Sequence, residues 1–253
     1  MEVRAASVRG VGHRLNGEPR QDAYAIGLSP CGRYIAMAVA DGTTAAPRAE
    51  MGAWAAVRAA VSLAGKLASE GNTLILAGRE DLFHDVAEAI EVVGAVELDL
   101  DGPAVARELA TTLVVATVAT APPHDAWIGR IGDSTAMILH EGRWERIFPA
   151  NDGLISTSVT DTLPGQPQDV QQEVVRVGPG SALVLMSDGI SGPLGDGKGD
   201  VGDLLAQTWA VPPPALVFVR ELDFARSTCD DDRTAVVLWA PSADQAGPRA
   251  EGR

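Results

Sequence analysis

Short apolar runs, separated by polar turns, recur along most of the chain. They are rich in β-branched residues and end at glycine or aspartate, the combination that is typical of strands bounded by turns. The eight predicted strands are Asp22–Gly27, Tyr34–Ala40, Thr111–Thr120, Ala126–Ile131, Thr135–His140, Glu173–Val177, Ala182–Met186 and Thr234–Trp239.

Other segments have the spacing of helices. An alanine-rich stretch with few turn formers and a second stretch with apolar residues at helical intervals predict two long helices. The predicted helices are Ala49–Ala68, Glu80–Val93, Pro103–Ala110, Val201–Thr208 and Pro214–Arg226. Because strands and helices come in separate blocks, the order predicts an α+β fold, with a pair of antiparallel sheets and helices outside.

Two segments match neither pattern. Residues Asn151–Gln172 contain Gly153, Pro164, Gly165 and Pro167 and are expected to form an irregular loop. The polar segment Pro241–Arg253 is expected to be a disordered tail.

The charge of the chain narrows its possible partners. With 20 Lys and Arg against 34 Asp and Glu, the formal net charge is −14. Such a surface repels nucleic-acid phosphates and anionic lipid, so neither nucleic acid nor a membrane is an expected partner. A surplus of carboxylates is, however, what hard divalent cations need as ligands.

The cysteines and the apolar runs bear on the compartment. Cys31 and Cys229 lie far apart, with no paired spacing that would indicate a zinc site or a disulfide framework. No run approaches the ~18 to 20 apolar residues that span a bilayer, and residues 1–10 lack the apolar core of a signal peptide. These features predict a cytoplasmic protein.

Aspartates at strand ends are the candidates for chemistry. Asp-Gly occurs five times, which alone indicates only turns. Asp41 and Asp188, however, directly follow the apolar runs in YIAMAVADG and ALVLMSDG. A sheet fixes the backbone at such positions, so the carboxylates can be held at the ~2.0 to 2.6 Å that hard cations require.

Further acidic residues stand next to other predicted strands. Asp22 enters one strand, and Asp230, Asp231 and Asp232 precede the last one. Three adjacent carboxylates form either a solvated acidic turn or a set neutralised by a cation. Asp133 and the following serine lie in a very short connection that by itself predicts a tight hairpin.

Six short motifs, in this order, resemble those of the type 2C, or PPM, metal-dependent protein phosphatases. They are QDA at 21–23, ADG at 40–42, ATTL at 110–113, GDST at 132–135, SDG at 187–189 and DDRT at 231–234. The resemblance covers nearly the whole chain and is closest to a bacterial branch of the family. It implies a phosphatase domain over residues 1–240, built as a four-layer αββα sandwich.

The resemblance also implies a ligand set for two Mn²⁺ or Mg²⁺ ions. Asp41 would bridge the ions, the carbonyl of Gly42 would bind one of them, and Asp188 and Asp231 would hold the other. Asp22 corresponds to an acidic position that orients metal-bound water. Asp133, with Asp188, matches a position where some bacterial members hold a third ion.

Two neighbouring cations can activate water for in-line attack on phosphorus and offset charge on the phosphoryl oxygens. The implied substrate is a phosphorylated protein, with a Ser/Thr kinase as the opposing enzyme.

The sequence departs from the family pattern where the substrate phosphate is gripped. Many members carry an arginine five positions before the first motif aspartate, and this chain has Gly17 there. Arg14 or Arg20 could supply the bidentate donor instead. His13 could bind phosphate or donate a proton to the leaving oxygen.

Two other functions remain open on sequence grounds. The glycine at position 17 is compatible with a catalytically weak relative that binds a phosphoprotein and regulates it. The short segment between Gly189 and Thr228 leaves the site open, as a phosphatase of small molecules would require.

Overall fold

The computed structural model describes residues 1–71, 76–149, 161–224 and 229–242. Ten strands lie within these ranges: β1 Glu2–Val8, β2 Ala23–Leu28, β3 Tyr34–Ala40, β4 Leu113–Ala119, β5 Asp125–Ile131, β6 Thr135–His140, β7 Arg143–Arg146, β8 Gln171–Arg176, β9 Ala182–Met186 and β10 Arg233–Trp239. Seven helices lie within the same ranges: α1 Val11–Asn16, α2 Ala49–Glu70, α3 Asp81–Leu98, α4 Gly102–Glu108, α5 Asp188–Leu194, α6 Asp200–Thr208 and α7 Ala215–Leu222.

The strands form two five-stranded sheets in which every pairing is antiparallel. Sheet I has the order β1-β10-β9-β6-β7, and sheet II has the order β2-β3-β4-β5-β8. Strands that are distant in sequence therefore meet in sheet I, where the last strand, β10, lies between β1 and β9.

Alternating side chains divide the core into three apolar layers. In β4, Leu113 and Val115 pack under α2 and α3, whereas Val114 and Ala116 pack between the sheets. In β10, Val237 faces the layer beneath α5 to α7. This period of two places helices outside both sheets, so the predicted α+β fold with a four-layer αββα sandwich is confirmed.

The connection between β5 and β6 is the main correction to the predicted topology. The spacing predicted a tight hairpin at Asp133, but β5 belongs to sheet II and β6 to sheet I. Gly132 to Ser134 therefore cross from one sheet to the other. Both β5 and β6 place apolar residues in the layer between the sheets. The apolar pattern of two such strands is the same whether they pair in one hairpin or belong to different sheets.

The prediction missed β1, α1, β7 and α5. Strands β1 and β7 are edge strands with polar residues on one side, and α1 and α5 have only six and seven residues, too few for a clear period. The predicted 151–172 loop was wrong at residues 171–172, which begin β8, and residues 151–160 lie outside the described ranges. The last helix ends at Leu222, and most of the predicted tail, residues 243–253, is also outside them.

Over the described ranges, no helix is both long and apolar enough to cross a bilayer.

Candidate metal centre

One end of the sandwich collects the aspartates singled out in the sequence. Asp22 immediately precedes β2 and Asp41 immediately follows β3, and the pairing of Ala23 with Ala40 places the two aspartates side by side. Asp188 follows β9, and the pairing of Ala235 with Met186 brings the start of β10, next to Asp231, to the same end.

Asp133 completes this end of the sandwich. It lies in the crossover just before Thr135, which pairs with Met186 at the end of β9. Its charge acts on Asp188, whose pKa it helps to raise. The crossover from β5 to β6, which the sequence predicted wrongly as a hairpin, therefore brings Asp133 close to the other acids.

Burial and mutual repulsion both disfavour charge on these acids. Burial, first, raises the pKa of Asp22 to about 7, and the charge of Asp232 adds to the shift. Burial also raises the pKa of Asp41 well above its ordinary value, followed by the charges of Asp22, Asp188 and Asp231. Burial again is the first cause of the raised pKa of Asp188. These acids are thus close enough to repel one another strongly.

The carboxylates fit divalent cations because their charge is left uncompensated. One oxygen each of Asp22 and Asp188 is buried without a hydrogen-bond partner. Across the described residues, no Lys or Arg forms an ion pair with Asp22, Asp41 or Asp188. Buried carboxylates of this kind are costly unless a cation neutralises them, and oxygen is the ligand that Mn²⁺ and Mg²⁺ accept.

Neighbouring backbone and hydroxyl groups fix Asp41 and Asp22. The backbone N–H of Thr112 donates to the Asp41 carbonyl at 2.8 Å, and the Thr111 hydroxyl donates to the same carbonyl at 2.9 Å. The Ser187 hydroxyl donates to Asp22 Oδ2 at 2.7 Å. The ATTL motif therefore holds Asp41 in place, and the SDG motif holds Asp22 through Ser187 and also contains the candidate ligand Asp188.

Gly42 is required by the close approach of α2. A Cβ atom on Gly42 would lie 2.6 Å from the Cβ of Ala49, the first residue of that helix. Any side chain here would push α2 away from the metal centre.

Asp232 is a site residue whose role the sequence did not reveal. It is only 1% exposed. Its Oδ1 accepts the backbone N–H of Gly10 at 2.7 Å, and its Oδ2 accepts those of Gln21 and Asp22 at 2.5 and 3.3 Å. Asp232 therefore fastens the segment leading into β2 to the start of β10, next to the other clustered acids. Three adjacent aspartates gave no signal for which one would face inward.

His13 is buried against the same acidic turn. Its Nδ1 lies 3.0 Å from Asp232 Oδ1 and 3.9 Å from Asp231 Oδ1, although the ring N–H is poorly aligned for a hydrogen bond. Burial by itself lowers the pKa of His13, but the attraction of Asp232, Asp231 and Glu18 outweighs it and raises that pKa.

The trio of His13, Asp231 and Asp232 has ligand atoms within 4.8 Å of one another, a geometry that could also hold an ion. Both oxygens of Asp232 already accept backbone N–H groups, so we assign Asp232 to positioning.

Both arginines proposed for substrate binding lie near this end. Arg14 on α1 is exposed, and its Nη2 contacts Asp223 Oδ1 at 3.0 Å. Arg20 donates from Nε to the Asp22 carbonyl at 3.0 Å, so it also supports that segment. At position 17, the glycine ends α1 with a φ of 73°, a left-handed conformation that glycine adopts without strain.

A buried arginine that the sequence analysis did not single out supports the crossover. Arg130 on β5 donates from Nη1 to Thr135 Oγ1 at 3.2 Å, and its guanidinium lies 4.5 Å from the centre of the Phe148 ring. It thereby links sheet II to sheet I beside Asp133. Thr135, the last residue of the GDST motif, is thus contacted by an arginine from the preceding strand.

Comparisons with known proteins agree with this geometry. A sequence model described as protein phosphatase 2C matches residues 9–216. The fold is similar to a serine/threonine phosphatase of S. agalactiae, at 15% identity over 94% of this chain and 99% of that one, with a TM-score of 0.68. The fold is also similar to the serine/threonine phosphatase Stp1 of Staphylococcus aureus, at 16% identity over 94% of this chain and 94% of that one, with a TM-score of 0.68.

A third similar structure is the catalytic domain of the serine/threonine phosphatase PstP in complex with two manganese ions. It shares 21% identity, over 93% of this chain and 96% of that one, with a TM-score of 0.61. At these identities the structures establish likeness of fold. No curated protein sequence matches the chain.

Proposed function

Because this chain belongs to the protein phosphatase 2C family and is therefore a phosphoprotein phosphatase, we propose that it hydrolyses phosphoserine and phosphothreonine with divalent cations held by its aspartates. The observation that carries the proposal is the set of buried, mutually repelling carboxylates of Asp22, Asp41 and Asp188. Among the residues that the structure describes, none of the three forms an ion pair with Lys or Arg. A binding domain would have no evident need for such an unfavourable arrangement.

The proposed ligands for two Mn²⁺ or Mg²⁺ ions are Asp41, the Gly42 carbonyl, Asp188 and Asp231. Asp133, together with Asp188, would hold a third ion. When bound, such cations activate water and offset the charge of phosphoryl oxygens. The aspartates themselves fix the positions of the cations, because each stands at the end of a strand or in a connection that the sheets hold in place.

The remaining roles belong to residues around the aspartates. Asp22, held by Ser187 and by the backbone contacts to Asp232, would orient the attacking water. His13 would contact the phosphate or give a proton to the leaving oxygen. Arg14 and Arg20 would bind the phosphate from the exposed side, where Gly17 has no side chain to do so.

The proposed biological substrate is a phosphorylated protein in the cytoplasm, acted on by an opposing Ser/Thr kinase. The negative surface of the chain favours substrates whose phosphosite is flanked by Lys or Arg, because acidic flanks would be repelled.

Phosphate release from a phosphothreonine peptide tests the proposed activity. With added Mn²⁺, the wild-type protein is expected to turn over the peptide, and Asp41→Asn is expected to lose that turnover while keeping its fold. Equal rates for the two proteins would refute the catalytic role of the aspartates. A small phosphate ester measured in parallel distinguishes a preference for proteins from one for metabolites.

A second candidate function is phosphoprotein binding without efficient hydrolysis, which the glycine at position 17 favours. Isothermal titration calorimetry with the same peptide separates the two. Tight binding together with negligible phosphate release in Mn²⁺ would support the binding function.

A further inference from the structure

An apolar groove lies between α2 and α3, on the outer helical layer over sheet II. Its cavity has a volume of about 550 Å³. The apolar lining consists of Met51, Trp54, Ala55 and Ala59 from α2 and of Ala89 and Val93 from α3. Trp54 is 47% exposed, an unusual exposure for the largest apolar side chain.

The groove exists because α3 is apolar on two sides. One side packs into the core through residues such as Phe83, Val86 and Ile90. A second stripe, Ala89, Val92, Val93 and Val96, has the 3, 4 and 7 spacing of a single helical face. Val93 in this stripe is half-buried and still packs against the core. Val92 and Val96 are 54% and 74% exposed. Because Ala89 and Val93 of the same stripe line the cavity, the exposed valines extend the apolar surface beside the groove.

The charges around the groove are mainly negative. Helix α3 contains five Asp and Glu residues and no Lys or Arg. Glu50 and Glu97 line the cavity, with Arg58 as the cation among the lining residues. A ligand with apolar side chains flanked by cations would match both the floor and the α3 wall.

Two other occupants fit these features less well. Residues 241–253 of this chain, PSADQAGPRAEGR, contain no apolar side chain larger than proline, so this segment cannot fill a groove lined by Trp54 and Val93. A second copy would bring two acidic α3 helices, each from a chain of net charge −14, against each other.

We propose that the groove between α2 and α3 binds an amphipathic helix of a partner protein, with large apolar residues at helical spacing and Lys or Arg on both flanks. Helices of this kind place residues i, i+3, i+4 and i+7 into an apolar groove. None of the lining residues belongs to the aspartate cluster, so peptide binding here can be measured independently of the proposed phosphatase function.

Fluorescence anisotropy with synthetic helical peptides tests the proposal. The probe is a labelled 14-residue leucine/lysine peptide with its leucines on one helical face. The comparison peptides are a glutamate version with the same pattern and a scrambled leucine/lysine peptide of the same composition. The patterned leucine/lysine peptide is expected to bind at least about tenfold more tightly than either of them.

Matched variants locate the binding. Trp54→Ala and Val96→Ser are each expected to weaken binding, Trp54→Ala by about tenfold or more. Leu216→Ala, which alters an 85% exposed leucine on α7, is expected to leave it unchanged. Glu97→Lys should weaken binding of the lysine peptide and strengthen that of the glutamate peptide.

Three results would overturn the proposal. Equal binding of patterned and scrambled lysine peptides would indicate a general attraction to the acidic surface. Equal binding by Trp54→Ala and Leu216→Ala would place the peptide elsewhere. A wild-type dimer in light scattering that becomes monomeric in Trp54→Ala would identify a second copy of this chain as the occupant.

Discussion

The two ends of the same β-sandwich treat polar side chains in opposite ways. At the end distant from the metal centre, the charged side chains form pairs such as Arg176 Nε with Asp125 Oδ1 at 2.8 Å, and Ser181 Oγ lies 2.9 Å from His140 Nδ1. At the metal-centre end, Asp22 and Asp188 each keep a buried oxygen without a partner. The strand β5 joins the two ends, because it begins at Asp125 and ends two residues before Asp133.

The difference separates residues that stabilise the fold from residues kept for chemistry. Paired groups at the distant end satisfy one another and need nothing further. Unpaired, buried carboxylates oppose folding of the metal-free protein, because removing a charge from water costs free energy. A cation would reverse that cost, so the metal-centre end should respond to metal and pH, whereas the distant end should not.

The largest expected effect is on catalysis. Asp188→Asn is expected to lower kcat/KM for a phosphothreonine peptide in Mn²⁺ by about 1,000-fold, equivalent to roughly 4 kcal/mol, because a cation ligand is lost. Asp125→Asn makes the same chemical change at the other end and should keep wild-type activity. If both variants lost a comparable share of kcat/KM, the catalytic role would not be specific to the metal-centre end.

The next effect concerns stability. Asp232→Ala is expected to lower the free energy of unfolding by roughly 3 kcal/mol, because three backbone N–H groups around it lose their acceptor. Asp125→Ala, which breaks a partly exposed ion pair, should cost less than about 1 kcal/mol. Urea unfolding in EDTA, which removes any contribution of metal, measures both. Equal losses would show that Asp232 does not hold the site together.

The sequence was sufficient for much of this picture because strands bring their ends to fixed places. Asp41 and Asp188 follow long apolar runs, so their position at a sheet end could be predicted from the runs alone. Asp232 and the crossover at Asp133 could not be predicted in the same way. Contacts with residues far away in the chain decide which of the three adjacent aspartates is buried and which sheet β6 joins.

The roles of Asp22, Asp41, Gly42, Asp133, Asp188 and Asp231 as metal ligands remain predictions, as do those proposed for His13, Arg14 and Arg20. What the structure adds is the proximity of the acids and the contacts of each arginine. The resemblance to a family supplied roles, whereas the packing explains why those residues can be close together.

Metal binding should stabilise only a protein with an intact centre. At a Mn²⁺ concentration of about 100 times the dissociation constant, the free energy of unfolding should rise by roughly 2.7 kcal/mol. Thermal unfolding at increasing Mn²⁺ measures this rise, and Asp188→Asn should show a clearly smaller one than Asp125→Asn. A shift of the same size in both variants would locate the ions away from the aspartate cluster.

A further expected effect is the pH dependence of the metal-free protein. The pKa of Asp22 is about 7 in the folded state against an ordinary 3.8, so the folded state holds this proton more tightly than the unfolded state. Its stabilising contribution is complete below pH 3.8 and is lost as the pH rises through about 7.

Urea unfolding in EDTA at pH 5 and pH 8 measures this loss. Asp22→Asn has no proton to lose there, so its stability should fall less than that of the wild type between the two pH values. An identical fall in both proteins would mean that Asp22 titrates normally.

The position of β10 between β1 and β9 has a consequence for how the protein is made. Residues 2–8 can join the rest of sheet I only after residues 233–239 have been synthesised, and Asp231 and Asp232 arrive with that same stretch. A nascent chain still on the ribosome would thus carry most of its helices and strands but no assembled centre. The centre would therefore assemble in one late step, after residues 231–239 have left the ribosome.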